Sequence, residues 1–342
     1  MTRTVMSDTA PVTVVRELAL AAGFAAVLRA AVKLGLADVL GGEPASAERL
    51  AALVGAEPGA LRRLLRALAC HGFFAEDGQG RYVHTDPSRL LRRDAPRSMR
   101  YMVMWVTEPW TWQAWPKLDE AVRTGRDVFH DLYGDEFFAW LHAHAPESAD
   151  VFDRAMTQSS NLSSEVVADA LDLSEVRTVV DIAGGQGHLL STLLQRNVHL
   201  NGVLLDLPGV VANADPRLRE GGALASRARL LPGDCRAAVP VEADLYVLKN
   251  ILECDDERTV TTLRNVVSAA RPGARVAVIQ NLVDGNPEVK FNTGMDLLLL
   301  LNVGGKRHTE RGLVELIEQA GLKVEAVRPA GPYLHLIEST VP

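Results

Sequence analysis

The stretch Asp181-Ile182-Ala183-Gly184-Gly185-Gln186-Gly187 lies between a β-rich run and a helical one. Glycines at such a bend let the backbone come close to a ligand. Asp206 closes the next β-rich run, where a carboxylate can accept both hydroxyls of a ribose. Gly233-Asp234 follows the third run, where an acidic side chain can hold the amino group of an adenine. Together the three features describe a seat for an adenosine-bearing cofactor. The loop alone does not choose the cofactor, because nicotinamide- and flavin-binding proteins use similar ones. The competing reading makes Asp181, Asp206 and Asp234 ordinary turn residues at strand ends.

These residues need a scaffold, and the chain supplies one. Apolar, β-rich runs stand at 178–182, 203–206, 228–231, 245–248 and 276–279, most of them separated by helical stretches. That alternation predicts a parallel sheet covered on both faces. Residues 322–327 and 333–338 read as two more strands, and the short connection 328–332 can only pair them antiparallel. Such a terminal hairpin belongs to methyltransferase sheets, not to those of dehydrogenases.

The first hundred residues read as helices. Val14, Leu18, Ala21, Ala25, Leu28 and Val32 recur at helical spacing, and the segment is so apolar that it needs cover on more than one side. A partner subunit could supply that cover. Ser46 caps a short helix through Val54, with Gly55 as its stop, and Pro58 opens a second helix running to His71 and Gly72. Phe73-Phe74, a turn at Asp77-Gly78 and Tyr82-Val83 complete the outline of a winged helix. Arg62, Arg63 and Arg66 on its second helix suit either a DNA-reading face or a solvated one, and the enzymatic look of the rest favours the solvated face. From 98 to 160 the pattern stays helical, and all five tryptophans fall between 105 and 140. Most are expected in the core, with a few free to line an aromatic pocket.

Bulk properties exclude several classes. The 342 residues are 47% hydrophobic and 23% charged, which suits a packed globular chain long enough for two domains. No apolar run is long enough for a transmembrane span, and residues 1–8 lack a signal-peptide core and read as a short disordered tail. Cys70, Cys235 and Cys254 are sparse and odd in number, which predicts reduced thiols in the cytoplasm and no disulfide framework or metal site. A net charge of −7 disfavours nucleic acid or an anionic membrane as main partner.

The chain resembles the small-molecule O-methyltransferases of bacterial natural-product pathways and plant phenolic metabolism. The resemblance runs from about Val14 to Glu338. It rests on the stretch 33–40, the winged-helix segment, Phe152-Asp153-Arg154-Ala155-Met156, the loop 180–187, Leu205-Asp206-Leu207-Pro208, Gly233-Asp234, Leu248-Lys249 and Gly304-Gly305-Lys306. It implies an α/β fold. A Rossmann-like sheet with a C-terminal antiparallel hairpin would occupy 166–342, a helical substrate-lining segment 105–165, and a winged-helix-like domain, which makes an intertwined homodimer, 12–104. It also implies that Gly184, Asp206, Asp234 and Lys249 contact S-adenosylmethionine, with Asp181, Gly185, Leu207 and Gly233 completing the site and S-adenosylhomocysteine as product. Ala183 stands where the family usually has another glycine. By position in the family, Trp105, Phe152, Met156, Met295, Leu299 and Asn302 would line the pocket of a small aromatic substrate.

The catalytic pattern departs from the family. Its base is a histidine in a Leu-His-Asp-Trp stretch, which takes the proton of a substrate hydroxyl as the oxygen attacks the methyl group. Here the stretch is Leu252-Glu253-Cys254-Asp255. Read without a gap, Glu253 replaces the histidine; read with one deletion, the base is missing. Gln280 stands where a supporting carboxylate is usual. In Gly304-Gly305-Lys306-Arg307-His308-Thr309, Arg307 replaces the family's acidic residue and His308 its arginine. Glu253 could serve as base if burial raised its pKa. His308 could have taken over the role, or Arg307 could bind a substrate that arrives as an anion and needs no base. The leading expectation is O-methylation of an aromatic or polyketide-like secondary metabolite in antibiotic biosynthesis. The alternatives are an enzyme on the same scaffold that hydroxylates, decarboxylates or cyclises, and a winged-helix regulator that senses a ligand.

Overall fold

The computed structural model describes residues 9–284 and 289–342; the tail expected at 1–8 lies outside the described residues. The chain forms two compact units. One holds the chain up to Thr111 together with Asp150–Gln158, and the other holds Trp112–Ala149 and Ser159–Pro342.

The first unit is mainly helical. The single helix expected over 14–32 is two, Thr9–Ala19 and Ala21–Leu34, bent by 50° at Leu20. The physical reason is packing. Val12, Val14, Val15, Leu18 and Leu20 are exposed, whereas Ala31 and Val32 are buried with Leu36, Leu50, Leu61, Leu65, Leu68 and Phe74. A helix takes most of its stability from its packed face, and within one chain only the second piece has such a face. The Ser46 hydroxyl accepts from the Arg49 N–H to open Ala47–Val54, and Gly55 closes that helix at φ +67°. Helix Pro58–Cys70 begins as expected, but its cap is the Glu57 carboxylate, which takes the N–H groups of Gly59 and Ala60. Strands β1 (Ala75–Glu76) and β2 (Tyr82–Val83) pair antiparallel, and Ala45 bridges to Tyr82 on the far side. Arg62, Arg63 and Arg66 are exposed, and Arg62 pairs with Glu48.

The second unit carries a seven-stranded sheet. Its strands are β3 (Thr178–Ile182), β4 (Asn201–Asp206), β5 (Ala228–Pro232), β6 (Leu245–Lys249), β7 (Arg275–Gln280), β8 (Lys323–Ala330) and β9 (Leu334–Thr340), in the spatial order β5-β4-β3-β6-β7-β9-β8. The first five run parallel, and β9 is antiparallel to both β7 and β8. Alternate residues feed two cores. Val179, Leu204, Val247 and Ile279 pack with Leu189, Leu190 and Leu193 of helix His188–Arg196. Val180, Ile182, Leu205 and Leu248 pack with Leu263 of helix Asp256–Ala269 and Leu313 of helix Glu310–Gln319. β8 runs on through Pro329, which the expected connection had left outside the strand. A proline is tolerated there because β8 is an edge strand.

Strand order reverses between β3 and β6, so the carboxyl ends of the parallel strands flank a crevice where ligands of open α/β sheets bind. Two helical elements reach this end. The 25-residue helix Pro146–Ala170 has residues 150–158 in the first unit and its last turns in the second. Helix Val289–Val303 packs through Leu301 against Ala114, Ala121 and Val128.

Candidate active site

The glycine loop is built against β4. The N–H of Ala183 donates to the Leu205 carbonyl at 2.7 Å, with Ala183 itself in the left-handed region at φ +48°. A Cβ on Gly184 would collide with the Asp181 carboxylate, so glycine alone fits there. Gly185, at φ +62°, turns its N–H to Asp206 Oδ2 at 2.8 Å, and the N–H of Leu207 donates to Oδ1 at 2.7 Å. Two backbone donors from different loops thus fix the Asp206 carboxylate at the tip of β4.

The next strand end is equally constrained. The Gly233 N–H donates to the Asp206 carbonyl, the Asp234 carbonyl accepts from Ala237 and Ala238, and Asn265 Nδ2 donates to the carbonyls of Cys235 and Arg236. The Asp234 carboxylate is held by Arg236, whose side-chain hydrogen bonds keep it below the usual carboxylate range. Burial pushes the Cys235 thiol up to about 11, with Asp234 and Asp206 adding to the effect.

Asp181, Lys249 and Glu253 connect the loop to the altered motif. Asp181 is 1% exposed, and burial pushes its carboxyl up to about 7 against the pull of Lys249. Lys249 ends β6 and donates from Nζ to Ser160 Oγ at 3.3 Å. Desolvation lowers the pKa of its ammonium, while Asp181 and Glu253 work to raise it. Asn250 follows in the left-handed region at φ +53°, which asparagine tolerates. Its Oδ1 accepts from the backbone N–H and Nδ2 of Asn281, tying the ends of β6 and β7 together. Ser160, Asn250 and Asn281 were not singled out from the sequence. The hydroxyl-rich run 157–164, an unfavourable composition for a helix interior, was the one available signal for Ser160.

Burial also raises the pKa of Glu253, against the opposing charges of Arg307 and Lys249. Arg307 Nε stands 3.4 Å from Glu253 Oε1, with side-chain exposures of 5% and 19%. The rest of Arg307 is engaged too. Nη1 donates to Asn292 Oδ1, the backbone N–H donates to Asp296 Oδ1 at 2.7 Å, and the guanidinium lies 5.9 Å from the centre of the Phe291 ring. His308 is buried in another direction. Its Nε2 is 3.4 Å from Thr259 Oγ1 and its Nδ1 3.8 Å from Asp256 Oδ1, and burial lowers its pKa. Gln280 is fully buried with neither side-chain polar atom hydrogen-bonded.

The residues expected to line a substrate pocket fall in both units. Trp105, Phe152 and Met156 belong to the first, where Trp105 and Phe152 meet edge to face at 5.5 Å. Met295, Leu299 and Asn302 lie on Val289–Val303 in the second, with Met295 and Asn302 buried.

Comparison with known proteins fits this arrangement. Residues 17–94 match the O-methyltransferase dimerisation domain and residues 115–323 the O-methyltransferase domain. The chain is 37% identical over 309 residues to the mitomycin biosynthesis 6-O-methyltransferase of Streptomyces lavendulae, covering 90% of this chain and 88% of that protein. The solved structure of mitomycin 7-O-methyltransferase superposes with a TM-score of 0.88 at 35% identity, over 98% of both chains. An O-methyltransferase from neocarzinostatin biosynthesis, solved with S-adenosylmethionine and 2-hydroxy-5-methyl naphthoic acid, matches with a TM-score of 0.77 at 33% identity, over 93% of this chain and 96% of that one. The chain belongs to this O-methyltransferase family, as a homodimeric enzyme whose methyl donor is S-adenosylmethionine.

Proposed function

We propose that the enzyme methylates a hydroxyl on a small aromatic or polyketide-like secondary metabolite of antibiotic biosynthesis, with Glu253 as the general base. The observation that carries this reading is the setting of Glu253. Its carboxyl is pushed up by burial and its charge partner is Arg307; read without a gap, it also stands where the family has its histidine.

The site suits the methyl donor. Fixed carboxylates at Asp206 and Asp234 offer acceptors for ribose and adenine, and the loop is bare of side chains at Gly184 and Gly185 beside buried Asp181. Leu207, Gly233 and Lys249 complete that surface. Bound there, S-adenosylmethionine supplies an electrophilic methyl group on a sulfonium. The chain's own residues do the rest. Glu253 accepts the hydroxyl proton as the substrate oxygen becomes nucleophilic, an economical transfer because a raised carboxyl pKa lies closer to that of a phenol. Arg307 keeps enough of Glu253 ionised to act and orients it. Because Nε faces Glu253 at 3.4 Å and Nη1 donates to Asn292, Arg307 is read here as a partner of the base and not as a receptor for an anionic substrate. His308, turned to Thr259 and Asp256, has a structural part. By position in the family, Trp105, Phe152 and Met156 in the first unit, and Met295, Leu299 and Asn302 in the second, are each candidates for contact with an aromatic substrate.

In this reading residues 12–104 serve dimerisation and 105–342 catalysis, with 105–165 lining the substrate. The enzyme works in the cytoplasm, where its three free cysteines stay reduced. Among the described residues no single helix is long and apolar enough to cross a membrane.

The test is product mass with candidate hydroxyaromatics and the methyl donor. A gain of one methylene per turnover with stoichiometric S-adenosylhomocysteine supports the reading. A hydroxylated, decarboxylated or cyclised product would replace it with the non-methylating alternative.

A further inference from the structure

Asp234 takes more contacts from one neighbour than a strand-end turn residue needs. Arg236 donates its backbone N–H to Oδ1 at 2.9 Å, and Nε reaches Oδ1 at 3.1 Å and Oδ2 at 3.2 Å. Nη2 reaches Oδ2 at 3.0 Å. This is a two-pronged guanidinium–carboxylate pair, the geometry that adds direction as well as attraction. Arg236 is itself anchored, because Asn265 Nδ2 holds its carbonyl at 2.8 Å and that of Cys235 at 2.9 Å. The pair is not sealed in the core. The Asp234 side chain is 34% exposed, and Arg236 borders a cleft of about 360 Å³ with Asp255, Glu257, Arg258 and Thr261. A carboxylate offers about four lone-pair positions. Three N–H groups of Arg236 meet the carboxylate, which leaves it acceptor capacity for one further donor on its exposed side.

We infer that Arg236 is the positioning residue for the adenine end of the methyl-donor site. It holds Asp234 as an oriented, acceptor-only carboxylate, so that the site selects a 6-amino purine over a 6-oxo purine. The inference rests on the reading that Asp234 receives the adenine amino group. A 6-oxo group would set an oxygen against the carboxylate, and a site built to accept a hydrogen bond strongly rejects an analogue that cannot donate one.

The experiment is calorimetric titration of the full-length enzyme with S-adenosylhomocysteine and with its 6-oxo analogue, S-inosylhomocysteine. Wild type is expected to prefer the amino form by at least about tenfold, the worth of one good hydrogen bond. Arg236→Ala should weaken S-adenosylhomocysteine by about tenfold and leave the weak analogue nearly unchanged, closing most of the gap. Arg236→Lys keeps the charge without the fork and should fall between. Melting temperatures of the ligand-free variants verify that each is folded, and the exposed Arg236 side chain makes that the expected result. A gap that persists in Arg236→Ala overturns the inference, and so does an equal loss for both ligands, which marks a merely structural role. Asp234→Ala separates the two layers. If it abolishes the gap while Arg236→Ala preserves it, the Arg236 inference alone fails. If Asp234→Ala preserves the gap, the assignment of Asp234 to adenine fails with it.

Discussion

Buried Arg307 and half-buried Glu253 form an ion pair in which Nε lies 3.4 Å from Oε1. Read without a gap, the sequence puts Glu253 where the family has its histidine and Arg307 where it has an acidic residue, so in that reading the two positions exchange their charges.

If Glu253 is the base, Glu253→Gln should lower kcat by about 10²–10⁴-fold, the usual contribution of general-base catalysis. Affinity for S-adenosylhomocysteine should barely change. The base works deprotonated, so wild-type kcat should rise with pH through a pKa above the ordinary carboxylate range, where burial has pushed it, and level off beyond. That limb should be absent from the variant. Unchanged turnover at every pH would show that the substrate arrives already ionised.

Removing Arg307 has a different signature. Arg307→Met leaves half-buried Glu253 with Lys249 as its remaining counter-charge, and because breaking one side of a fully buried pair costs about 3–5 kcal/mol, the loss should be at or below the low end of that range. Urea unfolding should show that loss. The acid limb of kcat should move to higher pH, since the guanidinium now opposes the raised pKa. An increase in KM for an anionic substrate, with stability and the pH limb both intact, would instead assign Arg307 to substrate binding.

Asp206→Ala strips the acceptor from the N–H groups of Gly185 and Leu207 and, if Asp206 receives the ribose, from its hydroxyls as well. Hydrogen bonds to a charged group are worth about 1.5–3 kcal/mol, so S-adenosylhomocysteine should bind at least about tenfold more weakly by calorimetry. Equal affinity in a folded variant would contradict the ribose assignment.

Asp181 makes the ligand-free fold sensitive to pH. Its folded pKa of about 7 lies above the value of about 3.9 expected in an unfolded chain. Between those values the native state keeps a proton that the unfolded state has released. Wild-type stability should therefore decline from about pH 4 to about pH 7, by up to about 4 kcal/mol at 1.36 kcal/mol per unit. Asp181→Asn has no such proton to lose. Its advantage in denaturant midpoint should be small at pH 4, grow through that window and stay constant above pH 7. Parallel profiles for the two proteins would show that the carboxyl is not strained by burial.

Much of the architecture was legible in order of sequence because its signals are local. The runs at 178–182, 203–206, 245–248 and 276–279 became β3, β4, β6 and β7 within two residues at either end. Ser46 and Gly55 bounded their helix because a cap acts on backbone groups a few residues away. The glycine loop and the tips carrying Asp206 and Asp234 could be placed for the same reason. The short connection after β8 required the antiparallel pair, although not the exact residue at which β8 ends. Tertiary structure decided what depends on distant groups being desolvated together. Arg307 meets Glu253 across 54 positions of chain, Asn250 meets Asn281, and Lys249 meets Ser160. The bend at Leu20 follows from where the core of the first unit stops. Residue types alone left three readings open: Glu253 as base, His308 in that role, or a substrate that arrives ionised and needs no base. Burial raised the pKa of the first and paired it with Arg307, and it turned the second toward Thr259, because a side chain's proton affinity is set by the neighbours that the fold assembles around it.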